Sequence, residues 1–163
     1  MKSHKKLDEA MQSSTPGRFD RSSLHLLHRA GQRAGEVFAR EMGSDLTPRQ
    51  YAVLASVAKS EGLSQTDLVA ETGIDRSTLA DVVRRMLKKG LIQRRRTKHD
   101  ARAYAVRLTE EGRRILAESE PLVREIDQRI LEVLPPAERL QFLDDLSAII
   151  NATDVALKEV SED

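Results

Sequence analysis

Between Ser64 and Gly90 two short helical segments flank a turn no longer than Gly73-Ile74-Asp75, and that spacing leaves few folds open. Ser64-Gln65-Thr66-Asp67 reads as a capping box, in which the serine hydroxyl accepts from a free N–H and the aspartate reaches back. The helix it starts runs from Gln65 to about Thr72, where Gly73 breaks it. Asp75 caps the next helix, which continues to Lys89 and ends at Gly90. In this second helix Leu79, Val82, Val83, Met86 and Leu87 recur at helical spacing and form one apolar stripe. Leu68, Ile74, Leu79 and Val82 have the spacing that locks two helices across a helix-turn-helix turn. Leu91–Arg96 and Ala103–Leu108 are extended segments joined by the polar stretch Thr97–Arg102, so a basic β-hairpin follows.

The flanks read as helical. A first helix is expected from about Arg21 to Met42, capped by Ser22 or Ser23, with Leu24, Leu27, His28, Gly31, Ala34 and Phe38 at helical spacing. Thr47-Pro48 opens a second helix carrying Tyr51, Val53, Leu54 and Val57. Thr109 caps a long helix with Glu110 and Glu111 in its first turn, where the helix dipole favours anions. Pro121 is expected to kink it. Pro135-Pro136 breaks the chain before a last helix with Leu140, Leu143, Leu146, Ile149 and Ile150, extending to about Val155. Residues 1–20 are polar and read as a mobile arm. The fold class is therefore mostly α with a small β-hairpin wing (α+β): a winged helix-turn-helix core over 46–112, preceded by a helix over 21–45 and followed by helices over 109–160.

Composition narrows the chemistry. Cysteine is absent, which removes disulfide scaffolds, Cys-ligated metal sites and thiol nucleophiles. Aromatics are 3% of the 163 residues, too few for an aromatic-lined sugar or single-strand groove. No apolar run approaches the ~20 residues of a membrane span, and no apolar stretch follows the basic N-terminus, so no membrane role, no secretory signal and a cytoplasmic location are expected. No nucleophile elbow, phosphate loop or His-Glu-x-x-His is present, and no enzymatic activity and no cofactor are expected. The net charge of +1 hides an asymmetry. From Arg84 to Arg107 ten Lys and Arg face one acid, Asp100, whereas from Leu108 onward six bases face fourteen acids. One segment is thus suited to a polyanion and the next is not.

Away from its apolar stripe the second helix of the pair carries Arg76, Ser77, Thr78, Asp81, Arg84, Arg85 and Lys88. Short hydrogen-bonding side chains in its first turns suit the reading of base edges, and cations at its end suit phosphates. On the hairpin, Arg102 beside Asp100 suits the narrow, negative minor groove; Asp100 would orient Arg102 or brace Arg94. The DNA-contacting set is Ser64, Thr66, Asp75, Arg76, Ser77, Thr78, Asp81, Arg84, Arg85, Arg94, Arg96, Lys98, Asp100 and Arg102.

From Leu46 to about Leu116 the chain resembles the MarR family of winged helix-turn-helix regulators. The matching pieces are Thr47-Pro48-Arg49-Gln50-Tyr51-Ala52-Val53-Leu54, Leu63-Ser64-Gln65-Thr66-Asp67-Leu68, Gly73-Ile74-Asp75-Arg76-Ser77-Thr78 and Lys89-Gly90-Leu91-Ile92. The most specific piece is Asp100-Ala101-Arg102 followed by Leu108-Thr109-Glu110-Glu111-Gly112. The resemblance implies a homodimer built from the first and last two helices, a double-stranded, roughly palindromic DNA operator, and repression relieved by a small aromatic or anionic effector, an aromatic acid or an aromatic acyl-CoA. It implies an effector pocket where the first, second and fifth helices meet the winged module, for which His25, His28, Arg29, Gln32, Arg33 and Tyr51 are the candidates. A metal is not expected there. The family's peroxide-sensing branch needs a cysteine that this chain lacks. A sequence-independent architectural DNA binder, and a regulator with no small-molecule effector, are the alternatives.

Overall fold

The structure is a computed structural model that describes residues 21–43, 46–60, 62–96 and 104–160, with side chains described through residue 153. The described elements, in chain order, are α1 (Ser23–Met42), α2 (Pro48–Lys59), α3 (Gln65–Thr72), α4 (Arg76–Lys88), β1 (Ile92–Arg96), β2 (Tyr104–Leu108), α5 (Glu110–Leu131) and α6 (Pro136–Val160). The chain divides into two compact units, Met1–Pro48 and Arg49–Asp163.

In the first unit α1 ends at Gly43, whose φ of 68° suits a residue without a Cβ. Ser22 occupies the N-cap position in an extended conformation, but its side chain makes no capping bond, so the expected cap is positional only. Phe38 is buried, whereas Leu24, Leu26 and Leu27 are exposed, Leu24 at 78%.

The second unit has its core where the sequence places its apolar stripes. Val53, Leu54 and Val57 from α2, Leu68 from α3, and Leu79, Val83 and Met86 from α4 are all buried to 1% exposure or less. Val82 and Leu87, at the margins of the α4 stripe, are half-buried. Leu91, Ile92, Val106 and Leu108 close this core from the sheet side, together with Leu116 of α5. Each such side chain contributes roughly 1.5–3 kcal/mol on burial.

The sheet is one antiparallel pair, with Ile92 opposite Leu108, Arg94 opposite Val106 and Arg96 opposite Tyr104. Val106 N–H also donates to the Leu63 carbonyl at 2.9 Å, which ties the segment before α3 to the hairpin. β2 buries Ala105, Val106 and Leu108, while β1 buries only Ile92 and leaves Gln93 to Arg96 exposed. α5 runs through Pro121 without interruption. α6 runs to Val160, about five residues beyond the end read from the sequence. Its side chains described through residue 153 include none that is buried.

Candidate nucleic-acid interface

The turn between α3 and α4 is built from side chains that bond locally. The Ser64 hydroxyl accepts from Asp67 N–H at 3.2 Å, and Asp67 accepts from Ser64 N–H at 2.8 Å, closing the capping box. That bonding, chiefly from the Ser64 hydroxyl, holds the Asp67 carboxyl below the usual carboxylate range. Gly73 takes the left-handed conformation with φ 64°, and its N–H donates to the Val69 carbonyl. Asp75 caps α4, accepting from Thr78 N–H at 2.9 Å and from the Ser77 hydroxyl at 2.6 Å. The two hydroxyls and the Thr78 amide hold its carboxyl far below the ordinary value, with the Ser77 hydroxyl the largest influence.

These bonds sort the sequence-derived set. Ser64, Asp75 and Ser77 use their side chains to shape the turn. Thr78 is half-buried, while Arg76, Arg84, Arg85 and Lys88 are exposed on α4. Asp81 pairs with Arg84 one turn on, an exposed i,i+3 pair of small energetic weight. Thr66 is exposed at the start of α3, beside a notch of about 30 Å³ lined by Gln65, Thr66, Val69, Arg76 and Leu79. Arg94 and Arg96 are exposed on β1, together with Arg95. Arg94 Nη2 donates to Gln65 Oε1 at 3.2 Å, so a wing cation is held at the start of α3. Lys98, Asp100 and Arg102 lie outside the described residues. Within one unit, then, the exposed end of α3, one face of α4 and β1 present cations around short polar side chains.

The MarR family model matches residues 44–103. The transcriptional regulator HosA of Escherichia coli O111:H- is 34% identical over 108 residues, which span 66% of this chain and 80% of its own length. Bordetella bronchiseptica BpsR, whose DNA binding is regulated by 6-hydroxynicotinic acid, superposes with a TM-score of 0.78 at 32% identity, covering 83% of this chain and 97% of that one. The PcaV transcriptional regulator of Streptomyces coelicolor, solved with its natural ligand, gives a TM-score of 0.79 at 28% identity over 86% of this chain and 99% of that one. The chain belongs to the MarR family. It is a transcriptional regulator of the MarR type, with the mostly helical, two-stranded winged-helix fold of those structures.

The effector candidates of this MarR-family chain fall in both units. On α1, His25 is half-buried and His28, Arg29, Gln32 and Arg33 are exposed, with Arg33 Nη1 bonded to Glu36 Oε2 at 2.6 Å. On α2, Tyr51 is half-buried. Burial raises its phenol pKa, the carboxylates Glu120 and Asp127 raise it further, and Arg124 opposes them. Burial also raises the Asp127 carboxyl. A cavity of about 240 Å³ in the second unit is lined by Val57, Ala58, Leu108, Arg113, Leu116, Ala117 and Glu120; none of the sequence-derived effector candidates lines it. Among the described residues no group of three His, Cys, Asp or Glu could hold a metal ion, and no helix is long and apolar enough to cross a membrane.

Sequence reasoning missed two features. The sequence places Gln65 in a capping box, at a helix start and in a family motif, and nothing in the chain order links it to Arg94 twenty-nine positions on. Thr109 and Gly112 were read as a cap and a family motif. In the structure a Cβ added at Gly112 would lie well inside van der Waals distance of the Leu91 carbonyl oxygen, and 3.0 Å from its carbon. The absence of a side chain in the first turn of α5, a position where helices favour other residues, was the available signal.

Proposed function

We propose that this chain acts as a homodimeric repressor that grips a pseudo-palindromic operator and lets go when a small aromatic or anionic effector binds. The observation that carries the DNA half is the exposed set of cations on α4 and β1 around Thr66 and Thr78, with Arg94 steadied by Gln65. α4 would enter the major groove and present Arg76, Thr78 and Asp81 toward base edges, while Arg84, Arg85, Arg94 and Arg96 neutralise phosphates. Lys98, Asp100 and Arg102 extend this assignment to the minor groove on sequence grounds.

The homodimer is supported by apolar surface that is exposed among the described residues. Val133, Leu140, Leu143, Ile149 and Ile150 are exposed in the second unit, Val133 at 83% and Leu140 at 71%. Leu24, Leu26 and Leu27 are exposed in the first. Monomeric soluble proteins rarely leave large contiguous apolar patches open. A two-fold pair would place two recognition helices about one DNA turn, ~34 Å, apart.

The effector half rests on relatives and on charge. BpsR responds to 6-hydroxynicotinic acid and PcaV holds a natural ligand. On α1 the row of Arg29 and Arg33 with His25, His28 and Gln32 supports an anionic effector; on α2, Tyr51 offers a phenolic donor. Release would be a population shift: an effector that binds better to dimers whose recognition helices are mis-spaced lowers operator affinity by its differential affinity. Such a regulator would work in the cytoplasm, where its DNA lies.

The test is operator binding as a function of salt. A duplex from the regulator's own promoter should bind at least ~10³-fold tighter than an unrelated duplex. Log affinity should fall linearly with log salt, and replacing Arg84 and Arg94 by Ala should flatten that slope by about 0.9 per lost phosphate contact. Equal affinity for both duplexes would identify an architectural binder instead.

A further inference from the structure

α4 ends at Lys88, and the chain reverses through Gly90, whose φ is 72°. Gly90 N–H donates to the Leu87 carbonyl at 3.1 Å and Leu91 N–H to the Met86 carbonyl at 3.0 Å, so Gly90 and Leu91 are fixed to the last turn of the recognition helix. The carbonyls of those two residues are both taken by Thr109. Its hydroxyl donates to the Gly90 carbonyl at 2.6 Å, with the Leu91 carbonyl 3.0 Å away, and its N–H donates to the Leu91 carbonyl at 3.1 Å. The same hydroxyl accepts from Gly112 N–H at 3.0 Å, capping α5. Gly112 lets the first turn of α5 rest directly on the Leu91 backbone, where any Cβ would collide. The end of α4 and the start of α5 are therefore joined by the Thr109 N–H and hydroxyl, with no side chain at Gly112 to hold the two backbones apart.

We propose that Thr109 and Gly112 are positioning residues that set the angle between the recognition helix and α5, and through it the half-site spacing that the protein accepts. The inference rests on the dimeric, two-half-site reading given above. α5 has 22 residues and is about 33 Å long. A rotation of about 5° at its first turn moves the far end by roughly 3 Å, close to the ~3.4 Å rise of one base pair along each strand. Capping alone needs only the acceptor side of the Thr109 hydroxyl. The donation to Gly90 and Leu91 is additional, and it points at the recognition helix.

The experiment uses the full chain and a duplex selected by the wild-type protein from a randomised pool, its centre then lengthened or shortened one base pair at a time. Affinity is read by fluorescence anisotropy, and folding by circular dichroism. The wild type should lose tenfold or more for each base pair added or removed. Thr109→Val should move the optimum by at least one base pair or flatten the profile to within threefold, and Thr109→Ser should restore the wild-type profile. Gly112→Ala should behave like Thr109→Val; if it does not fold, the two Thr109 variants decide alone. A Thr109→Val profile with the wild-type optimum and sharpness, weakened by one factor at every spacing, would reduce the joint to a fold-stabilising contact and overturn the inference. A flat wild-type profile would instead overturn the two-half-site reading, and the inference with it.

Discussion

The second unit contains two regions of opposite character. From α2 to the first turns of α5, apolar side chains find partners within the chain: Leu54, Leu68, Leu79, Val83 and Met86 are essentially inaccessible. From Leu122 onward the same residue types are mostly left open, and Leu140, Phe142, Leu143, Ile149 and Ile150 all stand exposed. Both regions are amphipathic, so patterning alone does not separate them. What separates them is how much of that apolar surface is covered among the described residues. The winged module closes on itself through short turns, whereas the two long helices leave much of theirs exposed.

The sharpest way to break that contrast is to charge the open surface. Leu143→Asp together with Ile150→Asp should convert the proposed dimer to monomer, because an unpaired charge buried at an interface costs several kcal/mol, about 3–5 in comparable cases. Sedimentation at micromolar concentration should show a species of half the mass, with the helical content of the winged module retained. An unchanged dimer would mean that this surface is not where the copies meet.

The next largest effect belongs to the closed region. Leu68→Ala should lower unfolding stability by about 2–5 kcal/mol, since Leu68 is fully buried and leaves a cavity when truncated. Denaturant titration at one fixed protein concentration measures it. A loss below about 1 kcal/mol would show a loosely packed helix-turn-helix.

The smallest effect concerns pH. Asp67 and Asp75 both have folded pKa values below their ordinary ones, so the folded state binds fewer protons than the unfolded state in the acid range. Their contribution to stability is fully present above the ordinary carboxylate value and is lost as pH falls below it, toward the depressed folded values. Asp75→Asn keeps an acceptor for the α4 cap but cannot titrate. It should lower stability at neutral pH, where the Asp75 contribution is fully present, and make stability less dependent on pH below about 4. An identical acid slope in wild type and variant would remove Asp75 from that balance.

Local structure was largely readable in the chain. The capping box at Ser64, the cap at Asp75, the glycine stops at Gly73 and Gly90 and the Thr109 start are short-range devices, and each holds in the structure because its partners lie within a few residues. The exception is Ser22, at the right place but without its bond. Long-range placements were less readable. The bond between Gln65 and Arg94 joins residues that local patterning never compares. Of the residues assigned to DNA, Ser64 and Asp75 are legible in the sequence as caps, whereas the bond from the Ser77 hydroxyl to Asp75 appears only once the turn is built.

By itself the sequence determined the order of the helices and where most of them start, the basic character of the hairpin and the face of α4 that turns inward, because periodicity, caps and charge act over one or two turns. Only the tertiary structure decided that Gly112 must lack a side chain, that Thr109 holds the end of α4, and that most apolar side chains of α6 described through residue 153 stay exposed. Those outcomes depend on which backbone segments meet across tens of residues. That is set by how the whole core closes, and no local preference records it.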